Sequence, residues 1–164
     1  MGSPPEPFQA TAIALDDGEV RLSRCSVLGT MKVHQLHASE CILRDKVQVD
    51  DTQDGCIRFS AWADGSILPR QFESVRVLPG SPLFVSTDFG QPGFAQLRPT
   101  ANGAILPPTN PTAGPANTIS EGAEDGSEMG AFAREKNPIK ERGLQIKYQE
   151  FMPVGLIPVV VYVT

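Results

Sequence analysis

Cys25, Cys41 and Cys56 recur at intervals of 16 and 15 residues, each inside a similar apolar run. The runs are Leu22-Ser-Arg-Cys25-Ser-Val27-Leu28, Ala38-Ser-Glu-Cys41-Ile-Leu43 and Gly55-Cys56-Ile57-Arg58-Phe59. Sliding Met31-Lys-Val33 by 16 residues lands on Val47-Gln-Val49. A unit this short suits one coil of a β-solenoid, in which each turn stacks on the last and equivalent side chains pile up inside. Val20 and Leu22, Cys25 and Val27, Met31 and Val33, Cys41 and Leu43, and Val47 and Val49 all alternate with period two, as strands do. The expected core stack is therefore Cys25, Cys41 and Cys56, flanked by Val27 and Leu43. Two registers are open for the third turn. Strict 16-residue sliding puts Ile57 and Phe59 beneath Cys25 and Val27, whereas one residue lost between Asp50 and Gly55 restores the cysteine line.

Stacked thiols in a core behave as small hydrophobes, and the chain has no Cys-x-x-Cys spacing of a zinc site. His34 and His37 stand three apart in a strand-like run, which sends them to opposite faces. With 164 residues, 40% of them hydrophobic and 20% charged, the chain can bury a real core. A net charge of −5 argues against broad electrostatic binding of nucleic acid or anionic lipid. No stretch approaches the roughly 18 apolar residues of a membrane span. The start, Met1-Gly-Ser-Pro-Pro-Glu-Pro, has neither the basic nor the apolar region of a secretion signal.

Composition divides the chain further. Residues 1–18 read as an N-terminal arm, with a short strand at Ala12 to Leu15 and a turn at Asp16-Asp-Gly18. Residues 19–60 are the solenoid turns, two and a half of them. Residues 61–98 hold Trp62, Phe72, Phe84, Phe89 and Phe94 and read as a β-rich cap, with strands at Val75 to Leu78 and Leu83 to Val85. Residues 99–120 form a Pro-rich flexible loop. Residues 121–164 supply a helix from Pro138 to Glu150 and a β-branched strand from Leu156 to Val163. The fold class expected is mainly β: a short parallel β-helix (β-solenoid) with a mixed C-terminal cap containing one α-helix.

Three features invite chemistry. Glu124, Asp125 and Glu128 cluster, but their spacing is not that of an EF-hand loop, and a solvated acidic turn explains them. Asp50, Asp51 and Asp54 share one loop, and a pair of carboxylates at a set separation is what glycan hydrolysis requires. Trp62, beside an Asp-Gly turn, is the candidate sugar-stacking platform, against a plainer role as a cap residue. No Gly-x-Ser-x-Gly elbow and no phosphate-binding Gly-Lys loop is present. No catalytic residue, metal or cofactor is assigned.

Several blocks resemble one family. They are Leu22 to Thr30, Glu40 to Leu43, Gln53 to Ser60, Leu68 to Phe72, Phe89 to Leu97 and Gly122 to Phe132. In this order they are similar to the C-terminal region of large, poorly characterised bacterial proteins associated with phage-tail-like or contractile injection gene clusters. Gly55-Cys-Ile-Arg-Phe-Ser60 and Glu124-Asp-Gly-Ser-Glu-Met-Gly-Ala-Phe132 are the most specific pieces. The resemblance implies a non-enzymatic structural or accessory module. Its partners would be other protein subunits or the missing N-terminal part of a larger chain, and its location the bacterial cytoplasm or the assembled particle. The alternatives are a carbohydrate-binding or carbohydrate-cleaving β-helix at a particle tip, carried by Trp62, Asp50, Asp51 and Asp54, and a small delivered effector.

Overall fold

The computed structural model describes residues 10–108 and 117–157. The chain winds as a parallel β-solenoid of about four turns, followed by one C-terminal helix. Its strands are β1 (Thr11–Ser23), β2 (Ser26–Val27), β3 (Thr30–Ser39), β4 (Ile42–Leu43), β5 (Val47–Val49), β6 (Gly55–Arg58), β7 (Ala61–Ala63), β8 (Arg70–Phe72) and β9 (Val75–Val77). One sheet stacks β1, β3, β6 and β8, with β5 also pairing β3, and the other stacks β2, β4, β7 and β9. Every pairing between these strands is parallel.

The corner between the two sheets sets the register. Arg24, Glu40, Phe59 and Glu73 each adopt a left-handed backbone, with φ of 53, 56, 49 and 47°. The residue after each is Cys25, Cys41, Ser60 or Ser74, and its sulfur or hydroxyl donates to the carbonyl two residues back, at 3.2, 3.1, 2.7 and 2.9 Å. The Cys41 N–H then donates to Ser60 Oγ at 3.0 Å, and the Ser60 N–H to Ser74 Oγ at 3.3 Å. A small side chain with one donor is what this position selects, because it closes a local side-chain-to-backbone turn.

This corner corrects the expected stack. Cys56 is not under Cys41; it lies opposite His37 in the other sheet, and Ser60 takes the third place. The turns are 16, 19 and 14 residues long, so neither register considered for the third turn holds. Serine replaces cysteine because both are small donors, and a search keyed on sulfur misses the equivalence. Cys41→Ser is accordingly expected to cost about 1 kcal/mol or less. Urea unfolding checks this, and a loss of about 3 kcal/mol would mean the column does not accept both residues.

Two apolar clusters flank the sheet that holds β4. Leu43, Val33, Leu36, Val47, Val49 and Ile57 fill the inside of the coil. Ile42, Ala61, Val75 and Val77 face outward and are covered by Leu83, Phe84, Leu97, Ile119 and Met129. Both residues of β4 are therefore buried.

The coil is longer than expected at both ends. β1 begins at Thr11, within the expected arm, and runs through Asp16-Asp-Gly18 as an irregularity between Leu15 and Glu19. β7, β8 and β9 complete the coil, so the cap does not begin at residue 61. The unequal intervals of 19 and 14 residues, unlike the first of 16, hide them from a fixed-period reading. Leu83 to Val85 contributes only an isolated bridge, Phe84 to Leu97. The flanks of the Pro-rich stretch are packed: Ala101 is buried, Ile105 bridges antiparallel to Val77, and Asn102 Oδ1 accepts the Ile119 N–H at 2.9 Å. Its centre, 109–116, lies outside the described residues, as do residues 1–9 and 158–164, which include most of the expected terminal strand. The helix α1 spans Asn137–Phe151 with Pro138 in its first turn. It buries none of its residues, so the covering of the coil comes from Leu83, Phe84, Leu97, Ala101, Ile119 and Met129 instead. No helix among the described residues is long and apolar enough to cross a membrane.

Candidate functional site: a charged groove beside the corner

Parallel stacking turns sequence-distant residues into columns. Arg21, His37 and Cys56 form one outward column of the larger sheet, and Ser23, Ser39 and Arg58 the next. Beyond them stand the corner residues Arg24 and Glu40. The segment 121–134 packs across this corner. The Gly130 N–H donates to the Glu40 carbonyl at 2.8 Å, and the Ala131 N–H to Ser26 Oγ at 3.0 Å. Only glycine fits at 130: φ is +99°, and a Cβ would stand 2.6 Å from Ser26 Oγ and 2.8 Å from Ile42 Cδ1. Between corner and segment lies a groove of about 570 Å³, lined by Arg21, Arg24, His37, Arg58 and Glu40 on the coil side and by Glu124 and Arg134 opposite.

Its charges are unevenly paired. Arg21 Nε meets Glu19 Oε1 at 2.7 Å, and His37 Nε2 meets the same oxygen at 3.0 Å. The hydrogen bond from Arg21 holds the Glu19 carboxyl below its ordinary value. Arg58 Nε donates to Ser39 Oγ at 3.2 Å. The Arg24 guanidinium and the Glu40 carboxylate make no hydrogen bond or ion pair among the described residues, although Glu40 is only 7% exposed.

The residues singled out in the sequence do not assemble into one site. Trp62 lies opposite Leu43 and packs against the cluster inside the coil. Asp50 and Asp54 are exposed, and Asp51 accepts from Gln35 Nε2 at 3.1 Å and the Gln53 N–H at 3.0 Å. The Gln35 bond leads in lowering the Asp51 carboxyl, the wrong direction for a general acid. Asp54 Oδ1 is 3.9 Å from His37 Nε2. Glu124 lines the groove, whereas Asp125 closes a turn onto the Ser127 N–H at 2.9 Å. Glu128 is buried, its Oε1 accepting the Asn137 N–H at 3.1 Å. Among the described residues, no three or more His, Cys, Asp and Glu side chains gather as a metal site. Burial pushes the Cys41 thiol up to about 11, so it stays un-ionised at neutral pH and is a poor nucleophile.

Burial, aided by nearby Glu135, pushes the Glu128 carboxyl up to about 7 from an ordinary 4.5, against the opposing pull of the Asn137 N–H and Lys140. Between those values the folded chain keeps a proton that the unfolded chain has released. Stability from this group is thus complete below about pH 4.5 and is lost as pH rises through about 7. Glu128→Gln is expected to flatten that decline in a plot of Tm against pH. An unchanged slope in the variant would assign the decline elsewhere.

Sequence reasoning did not find Arg24, Glu40, Arg58 or Arg134 as neighbours. The corner places the first three together, but the segment that makes them a groove docks from 105 residues away. No family model, no curated protein and no solved structure matches the chain.

Proposed function

We propose that this chain is a non-enzymatic structural or accessory module of a phage-tail-like (contractile injection) assembly, acting through contacts with other protein subunits. The observation that supports this reading best is the state of the C-terminal helix. α1 has 15 residues, none of them buried. Ile139, Leu144, Ile146, Tyr148 and Phe151 are exposed on it, and Val154, Leu156 and Ile157 follow. A helix of about 15 residues is marginal in water on its own, and most helical stability in proteins comes from packing an apolar face. Such a segment following a stacked coil suits a module that completes its packing on a partner. Two further features support the same reading: the resemblance of Gly55 to Ser60 and Glu124 to Phe132 to proteins of such gene clusters, and the docking of the second block onto the coil.

The test is affinity capture of the tagged chain from a bacterium that carries such a cluster, beside a version ending at residue 136. Baseplate or sheath subunits recovered with the whole chain and lost with the shorter one are expected. Recovery of neither, with both chains folded, would overturn the proposal.

A further inference from the structure

Glu40 is the unusual group in the groove. It sits at a left-handed corner, is 7% exposed, and its carboxylate has no partner among the described residues. Glu40 lines the groove and its carboxylate is not sealed from solvent, so a cationic group on a ligand seated there would gain an ion pair with it. Arg24 occupies the same corner one turn away, about 4.8 Å along the stack, and it too lacks a side-chain partner. Arg58 and Arg134 add positive charge on either side, and Glu124 adds a negative one at the opposite wall. An anion alone would meet Arg24 favourably and Glu40 unfavourably, and a cation alone the reverse. A ligand carrying both charges a few ångströms apart satisfies both residues, and a volume of about 570 Å³ accommodates one the size of a dipeptide.

We propose that the groove between the corner and segment 121–134 binds a small zwitterion of the amino-acid or dipeptide class. Its ammonium is held by Glu40 and its carboxylate by Arg24, with Arg58 and Arg134 adding to the positive field. This site is independent of the exposed helix and of any assembly role.

The experiment is titration of the whole ¹⁵N-labelled chain with glycylglycine, followed by amide shifts. Saturable shifts at Arg24, Glu40 and Arg58 are expected, weakened at least tenfold in Glu40→Gln and in Arg134→Gln, and unchanged in Arg142→Gln on the exposed helix. Inorganic phosphate and ethylammonium, each with one charge sign, should bind at least tenfold more weakly. If Glu40→Gln loses its dispersed spectrum, Arg134→Gln on the opposite wall carries the comparison alone. Absence of saturable shifts, equal binding by phosphate alone, or unchanged affinity in the folded groove variants would each overturn the proposal.

Discussion

Gly55→Ala is expected to destabilise the coil by about 3 kcal/mol or more. Gly55 opens β6 with φ of +119°, and a Cβ there would lie 2.4 Å from the Leu36 carbonyl oxygen and 3.2 Å from Pro69 Cγ. Leu36 belongs to the turn before, where it pairs with Gly55 in the ladder. A left-handed backbone alone costs a residue with a Cβ about 1–2 kcal/mol, and the collision with a fixed main-chain oxygen comes on top. Gly126 separates the two costs. Its φ is +73°, but nothing lies within 4 Å of its added Cβ. Gly126→Ala should therefore lose only about 1 kcal/mol. Urea unfolding of both variants measures the difference. Equal losses would mean that the turns do not approach as closely as the stacked coil requires.

The second large effect lies inside the coil. Ile57 is 0% exposed and packs with Leu36 and Val49. Ile57→Ala removes three carbons from a site held on both sides by neighbouring turns, which limits how far it can collapse. A loss of about 3–4 kcal/mol is expected. Ile67, on the same stretch of coil, is 56% exposed, and Ile67→Ala should change stability by less than about 0.5 kcal/mol. Because each turn of a solenoid contacts only its neighbours, the Ile57 variant should also lose hydrogen-exchange protection unevenly. Amides of β6 to β9 should open before those of β3. Uniform loss across all the strands would argue for one cooperative core rather than stacked units.

How much of this was legible in the sequence follows from the length of the turns. The first interval, Cys25 to Cys41, preserves both residue type and spacing, so Val27 over Leu43 and Met31 over Val47 could be paired by eye. The next two intervals change length in their loops and exchange cysteine for serine at the corner. The equivalence of Cys41, Ser60 and Ser74 rests on a hydrogen-bond pattern and on left-handed residues before each, and Phe59 between Glu40 and Glu73 breaks any match of residue type that would announce it. The place of Trp62 under Leu43 is hidden for the same reason: it is set by the 19-residue turn, not by the nearby Asp-Gly. The α1 helix was visible from its composition. Its lack of burial was not, because Ile139, Leu144 and Ile146 read equally well as a packed face. The groove is the least legible feature, since Gly130 meets Glu40 from 90 residues away along the chain.

Contacts between turns, read by nuclear Overhauser effects on the whole chain, test the stacked coil most directly. Cross-strand contacts should link Val27 to Leu43, Leu43 to Trp62 and Trp62 to Arg76, all in the parallel sense, with Cys56 beside His37. Antiparallel contacts between consecutive strands, or Cys56 beside Cys41, would contradict it.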